Sequence, residues 1–368
     1  MEQEKAEMKG YGEMPIPEAK KDSGRKCPRC RGMMEFDPKE GKLRCFSCDY
    51  IEEVLARNEA DLCADEQDFL YAERKGNHDW GVQKKTVHCE NCGIDMIYDA
   101  ADPLEGCLYC GSSRVTEIPT NDMLAPGGVC VFELDAKQAA ERFEQWMEKR
   151  WFGRKDLKKS VEPKKFKGIY VPCWTFDTYA DTTYDASYGI SYQGSKGAKM
   201  VDWDGCCGSY REFIDDQIVS GSLRHERHFP DMSREFETKE NKAYRQEYLA
   251  GFAVERYSVD LKDAWERGKE LIVPRLRRHV TNRIMAEHHA DEVADLKMTT
   301  VYSRIQCKLL LLPVWVICFD IKGKLYRFMV NGQNGSVSGK VPVSPGKVLS
   351  LVFGGLALLG CLWFFLSR

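Results

Sequence analysis

Eight of the sixteen cysteines fall into two matched blocks. Each block reads C-x2-C, fourteen residues, C-x2-C. The first holds Cys27, Cys30, Cys45 and Cys48, the second Cys89, Cys92, Cys107 and Cys110. A tight C-x2-C turn points two thiolates the same way, and two such turns supply the four soft ligands of a tetrahedral zinc ion. Four protein ligands leave no position for a catalytic water, so the chemistry expected is structural: two Zn2+ ions, one per block.

The elements that must hold these thiolates are short. In the first block, Met34-Glu35-Phe36 and Lys42-Leu43-Arg44 alternate apolar and polar, as strands do, around the turn sequence Asp37-Pro38-Lys39-Glu40-Gly41. The order knuckle, strand, turn, strand, knuckle is that of a zinc ribbon. The second block repeats it, with Met96, Tyr98 and Asp99 at the places of Met34, Phe36 and Asp37 and a turn at Ala101-Asp102-Pro103. Disulfides are the competing use of paired cysteines. No secretory signal is visible, which points to a reducing compartment. A redox C-x-x-C occurs once beside a βαβ pattern, not four times in pairs. Units this small bury too little apolar surface to fold alone, so the metal is expected to supply on the order of ten kcal/mol of folding energy to each.

With 54 basic and 57 acidic residues in 368, the net charge is −3, which argues against the broad positive field of a dedicated nucleic-acid binder. Residues 1–25 read as a flexible charged arm, 26–50 as ribbon one, 51–84 as a helical linker and 85–118 as ribbon two. Residues 119–345 read as an α+β domain of mixed sheet and helices. Within it, Asp135 is a good N-cap for a helix from Ala136 to about Phe152. Lys167–Ser191 is rich in aromatic and β-branched residues and reads as strand, with Pro172 marking a start or an edge. Ala243, Tyr244, Tyr248, Leu249, Phe252 and Ala253 space as one helix. A second, capped by Asp260, should kink or restart at Pro274. Leu309–Asp320 is a continuous apolar run that reads as a central strand, followed by a meander to Gly339. Val171-Pro172-Cys173-Trp174 and Leu312-Pro313-Val314-Trp315 share the pattern apolar-Pro-x-Trp. They are either a duplicated β unit or two edge strands with a core tryptophan.

Residues 348–366 carry no charge over nineteen positions. At 1.5 Å per residue they would span roughly 28 Å, enough for one transmembrane helix. Lys340 and Lys347 precede them, so the expectation is a single-pass cell-membrane protein with the bulk of the chain cytoplasmic.

Other chemistry is thin. No phosphate-binding loop and no H-E-x-x-H motif occurs. His225 with His228, His288 with His289, the Cys206-Cys207 pair, and the aromatic–acid set Trp174, Asp177, Trp315 and Asp320 are weak candidates. Asp177, Asp181 and Asp185 recur every four residues in a strand-like stretch.

The first ribbon, KGIYVPCWTFD, YLAGFAVERYSVD and LLPVWVICFDIKGKLYRFMVNGQNGSVSGKVPVS together resemble a family of bacterial TFIIB-type zinc-ribbon-containing membrane proteins. Its members are often labelled as replication-restart primosomal helicases, although no helicase motif is present here. The resemblance implies zinc on the eight paired cysteines and a hydrophobic C-terminal tail. In this sequence Arg31 and Asp49 stand where a glycine commonly follows the knuckle. The functional expectation is a membrane-anchored, non-catalytic adaptor with a protein partner. The alternative is a nucleic-acid-binding zinc-ribbon protein linked to replication or transcription, and a remote one is an enzyme with its site in the middle domain.

Overall fold

The computed structural model describes residues 26–54, 63–81, 83–100, 106–120, 123–149, 161–194, 197–223, 236–321, 324–340, 359 and 363. In chain order the elements are β1 (Met34–Asp37), β2 (Lys42–Cys45), β3 (Ile51–Glu52), β4 (Gln67–Asp68), α1 (Phe69–Lys75), β5 (Lys84–Cys89), β6 (Asp95–Asp99), β7 (Val115–Ile118) and β8 (Gly128–Val129). Then come α2 (Ala136–Glu148), β9 (Lys167–Gln193), β10 (Lys199–Ser220), β11 (Lys242–Ala243), β12 (Ala253–Glu255), α3 (Leu261–His288), β13 (Glu292–Ile321), β14 (Lys324–Asn331) and β15 (Val337–Gly339). The described residues are therefore sheet-rich with few helices, rather than an even α+β mixture.

Strands β1, β2 and β3 form a small sheet of their own. The others join a twelve-stranded sheet whose axis is the antiparallel pair β9 and β13, 27 and 30 residues long. Ribbon two is built into this sheet: β6 pairs with β12, which runs parallel to β9. Side chains alternate across a strand. One face of β9 and β13 therefore gathers Tyr170, Trp174, Phe176, Leu309, Leu311 and Trp315 under α2 and α3. The other face gathers Ile169, Val171, Cys173, Leu312, Val314 and Val316 against the knuckles of ribbon two.

The two Pro-x-Trp strands match contact for contact. Pro172 and Pro313 lie inside β9 and β13, not at an edge of the sheet. Each sits just where the returning strand stops, its ladder ending at Cys173↔Ser220 and Val314↔Asn331. No N–H is needed from either proline there, and each proline carbonyl instead accepts from a glycine, Gly221 at 3.0 Å and Gly332 at 2.9 Å. The Gly221 carbonyl accepts from Ser258 and Val259, and the Gly332 carbonyl from Glu133 and Leu134. The indole of Trp174 donates to the Val259 carbonyl at 2.9 Å, and that of Trp315 to the Leu134 carbonyl at 2.8 Å. Each carbonyl belongs to the residue before a helix cap, Asp260 for α3 and Asp135 for α2. The short strands follow suit, β12 pairing with β9 at Val254↔Tyr170 and β8 with β13 at Leu311↔Val129. Two β-α-β-β units thus face each other across a pseudo-dyad through the pair Val171↔Leu312.

Helix α2 carries the expected Asp135 cap, completed by Gln138 into a capping box, and ends at Glu148. Helix α3 runs unbroken from Leu261 to His288 through Pro274. An internal proline costs about 3 kcal/mol, but Ile272 and Leu276 on either side are fully buried, and their packing offsets it. Arg275 and His279 on α3 both donate to the Glu212 carboxylate of β10. Burial opposes ionisation of Glu212, but these two partners outweigh it and hold the group below the usual carboxylate range.

Three expectations are corrected. The aromatic run at 243–253 is not a helix but β11, a 3-10 turn over Gln246–Leu249, and β12. Gly251, at φ +86°, breaks it, and its apolar spacing serves packing, with Phe252 stacked on Phe132 at 4.2 Å. The helical linker at 51–84 contains one seven-residue helix, α1, among its described residues. The single-pass placement in the cell membrane is withdrawn: among the described residues no helix is long and apolar enough to cross a membrane. Helix α3 has the length, but charged residues from Lys262 to Arg283 interrupt it at nearly every turn. The 348–366 tail, Leu359 and Trp363 apart, lies outside the described residues, as do the 1–25 arm and the His225–His228 pair.

Candidate metal centres

All four knuckles share one backbone motif. The N–H of the first cysteine donates to the carbonyl five residues on, and the N–H four residues on donates back to the cysteine carbonyl. The eight bonds span 2.6 to 2.9 Å. The fourth residue must then enter the left-handed region. It is Arg31 (φ 63°), Asp49 (57°), Gly93 (66°) and Gly111 (74°). A side chain costs roughly 1–2 kcal/mol there. Arg31→Gly should therefore stabilise ribbon one by about 1 kcal/mol, and Gly93→Arg should weaken ribbon two by at least as much. The urea midpoint of the zinc-loaded chain reads both. An unchanged midpoint in Arg31→Gly would mean that the turn is not strained. Asp49→Gly is a poorer test, because Asp49 also accepts from Arg44 at 2.7 Å.

The knuckles bring the thiols together as the spacing requires. Cys27, Cys30, Cys45 and Cys48 form one cluster and Cys89, Cys92, Cys107 and Cys110 the other, with sulfurs within 4.8 Å of one another in each. The closest pairs are Cys27–Cys48 and Cys30–Cys45 at 3.5 Å, Cys89–Cys110 at 3.6 Å, and Cys92–Cys107 at 3.7 Å. A disulfide needs about 2.05 Å. The edge of a tetrahedron with zinc–sulfur bonds of 2.3 Å is about 3.8 Å. The donor set and its spacing fit a tetrahedral metal ion, with zinc favoured. The Gly32 N–H donates to the Cys30 sulfur and the Asn91 amide to the Cys110 sulfur. In the second cluster the hydrogen bond with Cys107 draws the Cys92 thiol down to about 5, while the same bond pushes Cys107 well up. Four thiols this close cannot all ionise without a cation among them.

Ribbon one docks on the sheet domain through the Phe36 N–H, which donates to the Ala250 carbonyl at 2.9 Å. Lys39 reaches the Asp135 cap of α2 at 2.7 Å. Beside ribbon two, the second knuckle (Gly106 to Gly111) forms one wall of an open cleft of about 510 Å³. Lys164, Lys165, Lys167, Val316 and Cys318 line the rest. The Cys318 thiol donates to the Tyr109 carbonyl at 2.9 Å.

The weaker candidates disperse. Cys206 and Cys207 are neighbours on β10 and point to opposite faces. His288 stacks on Tyr188 at 4.1 Å, and His289 is the left-handed cap of α3. Trp174 and Asp177 lie on opposite faces of β9, so the aromatic–acid set makes no common site.

One cluster escaped the sequence reading. Glu66, Asp177 and Asp216 bring carboxylate oxygens within 4.8 Å of one another. The Lys308 ammonium lies 2.5 Å from Glu66 and 3.5 Å from Asp216. Asp216 sits in the bulge between Ile214 and Gln217 at φ 49°, its N–H donating to Asp177 at 2.7 Å. Burial pushes the Glu66 carboxyl up to about 7 and raises Asp177 too. Burial alone would lower Lys308, but the bond to Glu66 outweighs it and keeps the ammonium charged. The only sequence signal was a lysine in the apolar run Cys307-Lys308-Leu309.

No family model matches the chain, and no solved structure does. Over 338 residues it is 26% identical to the uncharacterized protein YdjG of Bacillus subtilis (strain 168), a match that covers 90% of this chain and 93% of that one. The broad family resemblance thus narrows to what the clusters themselves carry: two four-cysteine sites that fit zinc ribbons.

Proposed function

We propose that this chain is a non-catalytic zinc-ribbon binding protein, an adaptor in which two structural Zn2+ ions hold a docking surface rigid. The observation that carries the reading is the closure of both centres. Each has four cysteine sulfurs converging, two of the four residues buried in the first centre and three in the second, and four protein ligands leave no place for a substrate or a catalytic water. The surface best suited to a partner is the cleft beside ribbon two, where three lysines face the second knuckle. Its size is that of a small binding site, and its charge favours an acidic segment of a protein partner.

A second reading takes the same lysines as phosphate contacts, in keeping with the resemblance to TFIIB-type ribbons. It makes the chain a nucleic-acid binder, and its affinity would fall steeply with salt. One experiment separates the two. A photo-crosslinker is placed at Leu108 in the full chain, with and without Lys164→Glu and Lys167→Glu. A discrete protein adduct lost in the double variant supports the adaptor. Salt-sensitive binding to DNA or RNA lost in the same variant supports the second reading. If the double variant changes neither, the cleft is not the docking surface.

A further inference from the structure

The pseudo-dyad that relates the two β-α-β-β units also relates two sites on the face of the sheet opposite the helices. An offset of 141 residues takes Pro172 to Pro313 and Trp174 to Trp315. It also takes Thr175 to Val316, Asp177 to Cys318 and Lys167 to Lys308. The register agrees, with Lys308 opposite Thr175 and Val316 opposite Lys167. At the Val316–Cys318 end lies the second knuckle of ribbon two. At the Thr175–Asp177 end lies the carboxylate cluster with Lys308. The fold does not require acids here, because the dyad mates of Thr175 and Asp177 are valine and cysteine, while the lysine is kept in both halves. The acids at this end are an addition to the scaffold, and they stand where the other half seats a metal-binding knuckle.

Three carboxylates surround one ammonium, so their charges do not balance, and burial makes an uncompensated charge costly. A second observation is independent of the acids. Thr175 is fully buried, and its hydroxyl makes no hydrogen bond. It shares the face of Asp177 one pleat away and stands directly opposite Lys308 in the ladder. Glu66 Oε2 is likewise buried without a hydrogen-bond partner. A polar cluster with an unused hydroxyl and an unused carboxylate oxygen suits an oxygen-seeking ligand.

We propose that Glu66, Asp177 and Asp216, with the Thr175 hydroxyl, form a third metal site that takes a hard divalent cation such as Mg2+ or Mn2+. All-oxygen donors select these ions, whereas the thiolate sites select zinc. The site is structural. Glu66 precedes β4, in the segment between the two ribbons, and Asp177 and Asp216 belong to the central hairpin. The cation fastens that segment to the sheet, and Lys308 holds the place against Glu66 in its absence.

Mn2+ titration of the zinc-loaded full chain, followed by electron paramagnetic resonance, tests this. Mn2+ binds thiolate sites weakly and leaves their zinc in place. One saturable Mn2+ per chain is expected. Asp177→Asn should weaken it by about tenfold or more and Thr175→Val by severalfold, while Lys308→Met, which removes the competing ammonium, should tighten it by about tenfold. Zinc content and near-ultraviolet circular dichroism verify that each variant is folded, and Thr175→Val keeps the side-chain shape if Asp177→Asn does not fold. No saturable Mn2+ in either the wild type or Lys308→Met would overturn the proposal and leave protons as what balances the cluster. Binding unchanged in both Asp177→Asn and Thr175→Val would overturn it equally, by placing the ion on surface acids.

Discussion

Cys92→Ser should release one of two zinc ions per chain and unfold far more than one ribbon. The metal-linked folding energy of a four-cysteine ribbon is on the order of ten kcal/mol. In ribbon two that energy is wired into the main sheet, because β6 pairs with β12 and β12 with β9. Cys89, Cys92 and Cys107 also belong to one buried cluster with Ile169, Val171 and Val314. Loss of the metal therefore removes a wall of the core. Ribbon one has its own three-stranded sheet and touches the sheet domain through Phe36, Lys39 and a few side chains. Cys30→Ser should also cost one zinc, but its unfolding should stay local. Thermal melts with zinc stoichiometry measure both variants. Equal melting temperatures for the two would mean that ribbon two is an appendage rather than part of the sheet.

Trp174→Ala and Trp315→Ala should each destabilise the chain by about 3–5 kcal/mol, the usual cost of emptying a buried aromatic site. The Phe variants isolate the hydrogen bond. They keep most of the ring and leave the Val259 or Leu134 carbonyl without its indole donor, at a cost of about 1–3 kcal/mol. Hydrogen exchange should then locate the damage. Trp174→Phe should loosen the first turn of α3, and Trp315→Phe that of α2. Trp174 pairs with Leu309 in the ladder, six residues from Trp315, or about 20 Å along the strand. Sites so far apart should lose stability additively. A double variant that falls well short of the sum, or exchange that loosens the same helix in both singles, would mean that the two indoles do not hold the two caps separately.

Both metal clusters were legible because zinc chemistry is local. Each C-x2-C turn sets two thiols three residues apart, and a fourteen-residue spacer joins the two turns, so spacing alone places them. The Asp135 and Asp260 caps were legible for the same reason, since a cap bonds to N–H groups two or three residues away. The Pro-x-Trp pattern was visible as a repeat, yet its meaning was not. Pro172 reads as an edge residue until the partner strand is seen to stop beside it.

The sequence by itself determined the two groups of four cysteines, the turns that carry them, the caps of two helices and the apolar run of β13. Each of these is set by neighbours in the chain or by a period of two or 3.6 residues. Only the tertiary structure decided that ribbon two is part of the main sheet and that two β-α-β-β units meet across a dyad. It alone brought Glu66, Asp177, Asp216 and Lys308 together. Those four lie on four separate segments with no spacing between them to read, and what joins them is the register of β9 against β13 and one bulge in β10. Register follows from burying the right face of each strand against everything that covers it. That condition involves the whole molecule at once, so no stretch of sequence states it.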